Sequence, residues 1–134
     1  MTQENKELLL KDICARLPYG VKVQYYDNET KKLEAGAIVS CTIPIDETNQ
    51  KYPTFITRRD LLIIQGNTIE DIKPYLFPLS SMTEEHQREE YYICKEYIIG
   101  YESNLIDFYN KYHYDYRGLI PMGVAIDATG KNIY

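Results

Sequence analysis

The residues best suited to chemistry lie in YNKYHYDYRGLIP, residues 109–121, where Tyr112, Tyr114 and Tyr116 alternate with His113, Asp115 and Arg117. On an extended backbone the period of two sets His113, Asp115 and Arg117 on one face and the three tyrosines on the other. A carboxylate beside an imidazole orients the ring and raises its basicity, which makes a usable general base. A guanidinium two residues on can hold a phosphate or carboxylate in a bidentate fork. So arranged, the three suit a small enzyme or a phosphate or carboxylate binder. If the helix before them continues past Tyr112, they fan out and cannot converge. The plainer alternative is a structural ion pair between Asp115 and Arg117, with His113 exposed at a helix C-terminus and favoured there by the dipole.

The second histidine, His86, stands in TEEHQREE with Glu89 and Glu90 at i+3 and i+4 and Glu85 beside it. Helical two-metal carboxylate sites need a second Glu-x-x-His helix, which is absent, so no metal is expected. Arg58 and Arg59, with Lys51, Tyr52 and Phe55 close by, make a small basic and aromatic spot. Such a spot on a strand can stack a single-stranded nucleic acid. Neither Ser40-Cys41 nor Ser80-Ser81 has the elbow of a serine hydrolase, and there is no glycine-rich phosphate loop or dinucleotide fingerprint. No cofactor is expected.

Charge narrows the partners. Residues 1–66 hold nine basic and nine acidic side chains, whereas residues 67–134 hold six and eleven, so the net charge of -5 belongs to the second half. Duplex DNA binding relies on Lys and Arg neutralising phosphates, which makes that partner a poor fit. Three cysteines, Cys14, Cys41 and Cys94, form no CxxC pair, and read as reduced thiols in a cytoplasmic protein. The first 17 residues carry acids and too short an apolar run for a signal peptide, and no stretch approaches a membrane span. Tyrosine is abundant, with 14 Tyr against 3 Phe and no Trp, and eight of them fall between Tyr91 and Tyr116. Tyr couples bulk to a polar tip, so it serves core margins and interfaces alike.

The elements that must position these residues follow from periodicity. Residues 4–17 form a helix with Leu9, Ile13 and Leu17 on one face, Leu10 and Cys14 beside them, Thr2 as N-cap and Pro18 and Gly20 as the stop. VKVQYYD alternates as a half-buried strand, DNETKK turns, and LEAGAIVSCTIPI returns as the second arm of a hairpin. TFITRRDLLIIQG holds one or two short strands, with Leu61 to Ile64 apolar throughout and therefore buried on both faces. Gly66-Asn67 turns the chain. Pro74 and Pro78 exclude a continuous helix, leaving a helical turn over Ile69 to Asp71 and an edge strand from Lys73 to Phe77.

Ser81 with Glu84 has capping-box spacing, and Thr83 is a second N-cap option, for a helix running to about Ile99 and ended by Gly100. Ser103 caps a shorter helix with Leu105, Phe108, Tyr109 and Tyr112 in one stripe, and LIPMGVAID makes a last strand. The stripe Tyr91, Cys94, Tyr97/Ile98 and Tyr101 faces a second one of Tyr109, Tyr112 and Tyr116 as a tyrosine core. The sum is a single α+β domain over residues 1–134, a small mostly antiparallel sheet with an N-terminal helix and two C-terminal helices packed on it.

Two stretches, IKPYLFPLSSMT and FYNKYHYDYRGLIPMGVAIDAT, together covering about half the chain, are similar to short uncharacterised proteins of Bacteroides-type bacteria, often found in prophage-like or mobile regions. That resemblance brings no activity or catalytic residues. It implies a bacterial, cytoplasmic setting and a small accessory protein. The expected function is a non-catalytic module that contacts a protein partner, with homo-oligomerisation open. The expected surface is the acidic start of the long helix and its tyrosines: Glu84, Glu85, Glu89, Glu90, Tyr91 and Tyr92.

Overall fold

The computed structural model describes residues 1–43, 47–48, 53–60, 63–96 and 101–134. Helix α1 (Gln3–Arg16) starts where the Thr2 hydroxyl accepts the Asn5 amide, 3.1 Å away. It tightens into a 3₁₀ turn at Leu17–Tyr19 and ends at Gly20, whose φ of 68° the missing Cβ permits. Strands β1 (Lys22–Asp27) and β2 (Lys32–Thr42) make the expected hairpin, Val23, Tyr25 and Asp27 being buried and Tyr26 exposed. Buried Asp27 anchors its loop by accepting the amides of Glu29 (2.8 Å) and Thr30 (3.1 Å) and the Arg59 guanidinium (3.0 Å).

Strands β3 (Thr54–Asp60) and β4 (Ile63–Thr68) form a second hairpin. The burial of Leu61 to Ile64 lies outside the described residues. Gly66 and Asn67 do not turn the chain; they pair with Ile56 and Phe55 inside β4. Asn67 is held there because its side-chain amide donates to the Thr57 hydroxyl at 2.8 Å in a buried position, so the polar pair satisfies itself within the sheet.

A 3₁₀ turn at Ile69–Asp71 leads to β5 (Lys73–Pro78). This is not an edge strand. The order is β4-β3-β2-β1-β5-β6, with β6 (Tyr114–Asp115) and β7 (Ile126–Asp127) both parallel to β5. Pro74 and Pro78 are tolerated because they stand near the strand ends. The bonds between them use other groups: the Phe77 amide donates to the His113 carbonyl and the Leu76 carbonyl accepts from Ala128, each at 2.8 Å.

Helix α2 (Glu84–Glu96) is capped by Thr83, whose hydroxyl accepts the His86 amide at 3.2 Å, while the Ser81 hydroxyl donates to the Pro78 carbonyl instead. The expected run to Ile99 and stop at Gly100, with Tyr97 and Ile98, fall outside the described residues. Helix α3 (Tyr101–Lys111) begins before Ser103, which is therefore inside it rather than its cap. Most of LIPMGVAID is turn, and only Ile126–Asp127 is strand. The fold is α+β, with the expected N-terminal helix, mostly antiparallel sheet and two C-terminal helices. No helix among the described residues is long and apolar enough to cross a membrane.

Two buried clusters hold these elements. The larger joins Leu9 and Ile13 of α1 to Val21, Val23, Tyr25, Ile38, Phe55, Ile72, Leu76 and Leu119. The smaller gathers Met82, Phe108 and Tyr114, with Phe77, Ile93, Leu105, Tyr109 and Tyr112 against them. A tight spot in the sheet is Gly36, opposite Val23. A Cβ there would fall 2.8 Å from Cε1 of the buried Tyr25 and 2.9 Å from the Arg58 carbonyl oxygen. Backbone cannot yield as a side-chain tip can. Gly36→Ala is therefore expected to cost about 1–3 kcal/mol, read as a lower urea midpoint at unchanged slope.

Candidate functional site

The chain around the histidine is neither a continued helix nor a simple strand. Helix α3 stops at Lys111, and His113 takes a left-handed φ of 62°. That is the residue just past a helix end, where left-handed backbone is common, and its amide returns to the Asn110 carbonyl at 3.3 Å. Only Tyr114 and Asp115 are then extended. The reversal breaks the period of two, and His113, Tyr114 and Asp115 are all buried.

The three candidate catalytic side chains accordingly face different partners. His113 lies flat on Tyr134, with ring centroids 3.7 Å apart and planes 12° off parallel. It is 7% exposed, not at the surface. Burial, then the charges of Arg16 and Lys22, push its pKa down to about 4, so the imidazole is neutral. Its Nδ1 finds no hydrogen-bond partner among the described residues. Asp115 accepts the backbone amides of Leu119 and Ile120, both at 2.9 Å, and so organises the turn after β6. Arg117 reaches Asp12 at 3.1 Å and the Tyr116 hydroxyl at 2.9 Å. The expected Asp115–Arg117 ion pair is thus replaced by Asp115 to backbone and Arg117 to α1.

What the structure does assemble here is a charged cluster around Asp12 and Arg16, both completely buried. Arg16 grips Asp12 with Nε at 2.8 Å and Nη2 at 3.1 Å. It also donates to the Tyr114 carbonyl at 2.6 Å and the Tyr109 carbonyl at 3.3 Å, the latter in the last turn of α3. The Tyr116 ring receives both guanidinium groups, Arg16 Cζ at 5.5 Å and Arg117 Cζ at 4.8 Å from its centroid, and stacks on Tyr109 at 5.5 Å. Sequence reasoning passed over Asp12 and Arg16. The signal was there: positions 9, 12, 13 and 16 fall on one helical face, so an i,i+4 acid–base pair sits in the apolar stripe.

His86 turns inward among aromatics. Its Nδ1 is 2.7 Å from the Tyr114 hydroxyl, and its ring centroid is 4.0 Å from that of Tyr112. No group of three His, Cys, Asp or Glu among the described residues is placed to hold a metal. Glu90 accepts the Tyr109 hydroxyl at 2.7 Å; burial, then that contact, raises the Tyr109 pKa.

The outer face of α2 is different. Glu84, Gln87, Arg88, Tyr91 and Tyr92, at i, i+3, i+4, i+7 and i+8, line one open depression. Tyr91 is 60% exposed and Tyr92 56%. Glu84 and Glu85 are exposed, while Glu89 is half-buried. The Tyr91 and Cys94 stripe is therefore not core, because Ile93 is the residue that meets the α3 cluster. Of the nucleic-acid candidates, Phe55 is fully buried, Arg59 binds Asp27, Arg58 is exposed, and Tyr52 lies outside the described residues. A buried Phe55 has no face to offer a base.

Two consequences are measurable. Asp12→Ala would leave two guanidinium groups without their carboxylate and is expected to cost about 3–5 kcal/mol, seen in chemical denaturation. At His113 the unfolded chain takes up a proton near pH 6.5 and the folded one only near 4, so its contribution is complete above 6.5 and drains as the pH falls toward 4. The loss is about 3 kcal/mol. Thermal midpoints against pH should show that decline in the wild type and a shallower one in His113→Phe.

No family model matches the chain, and no curated protein or solved structure matches it either.

Proposed function

We propose that the protein is a non-catalytic interaction module, an accessory protein of a prophage-like bacterial element working in the cytoplasm, and that it holds a protein partner through the outer face of α2. The observation that carries this reading is the exposed pair Tyr91 and Tyr92 in the depression they share with Glu84, Gln87 and Arg88. Two large aromatics at 60% and 56% exposure form an apolar patch with polar tips, the composition of interface centres. Helical spacing gives the patch the i, i+3, i+4, i+7 geometry that a groove or a second helix can receive.

Charge sets the partner's chemistry. Glu84 and Glu85 are exposed in the first turn of α2, with Glu89 further along, in the half of the chain that holds the whole negative excess. A surface with Lys or Arg around an apolar centre is the complement. Glu90 faces inward to Tyr109 and supports the helix rather than the contact. Catalysis by His113, Asp115 and Arg117 draws no support from side chains that face Tyr134, backbone amides and Asp12.

The test compares tagged wild type with Tyr91→Ala/Tyr92→Ala in pull-downs from native-host lysate, with and without nuclease. One stoichiometric protein, unaffected by nuclease and recovered about tenfold less by the variant, is the expected result. Because both side chains are largely exposed, the variant should melt within a few degrees of wild type. Equal recovery by the two, or no stoichiometric protein at all, would sink the reading.

A further inference from the structure

Tyr134 is held by its ring and its hydroxyl together. The ring lies on the His113 imidazole, centroids 3.7 Å apart and planes 12° off parallel, with Phe77 at 5.9 Å and the Lys22 ammonium 5.9 Å from its centroid. The hydroxyl enters the sheet. Strands β1 and β5 pair antiparallel at Val23–Pro74 and Gln24–Lys73, and the paired run ends there. The next rung in that register sets Lys22 opposite Tyr75. The Tyr134 hydroxyl spans this rung, accepting the Lys22 amide at 3.0 Å and donating to the Tyr75 carbonyl at 2.8 Å. Burial pushes the phenol up to about 12, so the hydroxyl keeps the proton it donates. His113, 7% exposed, has an Nδ1 with no partner among the described residues, a polar atom in the floor that Tyr134 does not use. The segment that delivers the ring lies on the surface. Residues 129–132 are exposed, tied by Lys131 to the Ala128 carbonyl and by Thr129 to Asp127, and Lys22 Nζ donates to the Ile133 carbonyl at 2.7 Å.

We propose that this slot, between the rung of Lys22 and Tyr75 and the face of His113, is a binding site for a small phenol, with Tyr134 as a built-in occupant that the ligand displaces. Each wall matches one part of such a ligand. The imidazole face takes the aromatic ring in a parallel stack. The amide of one strand and the carbonyl of the other call for a group that accepts and donates at one point. A hydroxyl does both; a methyl group does neither and would leave two main-chain groups unpaired. Tyr134 competes from a short tether, at an effective concentration on the order of millimolar, so the full chain holds the slot closed against weak phenols. The slot shares no residue with the depression on α2.

The experiment titrates full-length wild type and full-length Tyr134→Ala with para-cresol, and with toluene as the ring without a hydroxyl. Amide NMR spectra and thermal midpoints are the readouts. In the variant, para-cresol should move the Lys22 and His113 amide signals to saturation and raise the midpoint. Toluene should bind about tenfold more weakly, the worth of about one hydrogen bond. Wild type should need about tenfold more para-cresol than the variant, because Tyr134 must first leave. If Tyr134→Ala is unfolded alone, para-cresol should restore its folded spectrum. No saturable response and no recovery of folding in the variant would overturn the assignment. So would toluene binding as tightly as para-cresol, or wild type responding as readily as the variant.

Discussion

Arg16 binds the two ends of this fold together, and it does so with its charge fully buried. Its guanidinium holds Asp12 one helical turn back, the Tyr109 carbonyl in the last turn of α3, and the Tyr114 carbonyl of β6. Removing a guanidinium and a carboxylate from water costs several kcal/mol each, and the geometry must repay it. A two-pronged ion pair and two carbonyl acceptors do so. Arg117 then closes on the same carboxylate from the far side, so Asp12 serves two cations and the Tyr116 ring takes the remaining positive field on its face.

That cluster explains why residues 112–117 fail to become a catalytic strip. The Arg16 contacts draw the chain inward at Tyr109 and Tyr114, and the left-handed turn at His113 is the way α3 ends between them. Once inward, each polar side chain meets what is already there. Asp115 meets the amides of its own turn and His113 the flat ring of Tyr134. A desolvated neutral imidazole whose Nδ1 finds no partner among the described residues is a cost the fold bears.

Helix α2 shows the opposite economy. None of its described residues is buried. It rests on α3 through Ile93, the Glu90–Tyr109 bond and His86 among Tyr112, Phe108 and Tyr114. Its tyrosines at 91 and 92 are largely exposed, their rings set edge to face with each other and the Lys95 ammonium over the Tyr91 ring. An aromatic surface left over after the core is complete is the feature on which a partner reading rests.

Local rules were enough for the parts of this protein that depend on a few neighbouring residues. Thr2 as a cap, the alternation of Val21, Val23 and Tyr25, the turn at Asn28 to Lys31 and the helical turn at Ile69 each follow from side chains within one turn or one strand pair. The α+β class and the Leu105, Phe108, Tyr109 and Tyr112 stripe were legible for the same reason. The exposure of Glu84 and Glu85 in the first turn of α2 was legible from their charge, whereas helical spacing misled by setting Tyr91, which is 60% exposed, in a core stripe. Decisions that join distant segments were not legible. Pro74 made β5 look like an edge, because nothing near it says that β6 and β7 arrive some 40 to 50 residues later to use the groups proline leaves intact. Asn67 looked like turn chemistry until Thr57 offered its hydroxyl from the next strand. Asp12 and Arg16 were passed over although they fall in the apolar stripe of α1, since only the arrival of two carbonyls from residues 109 and 114 makes burying that charge tolerable.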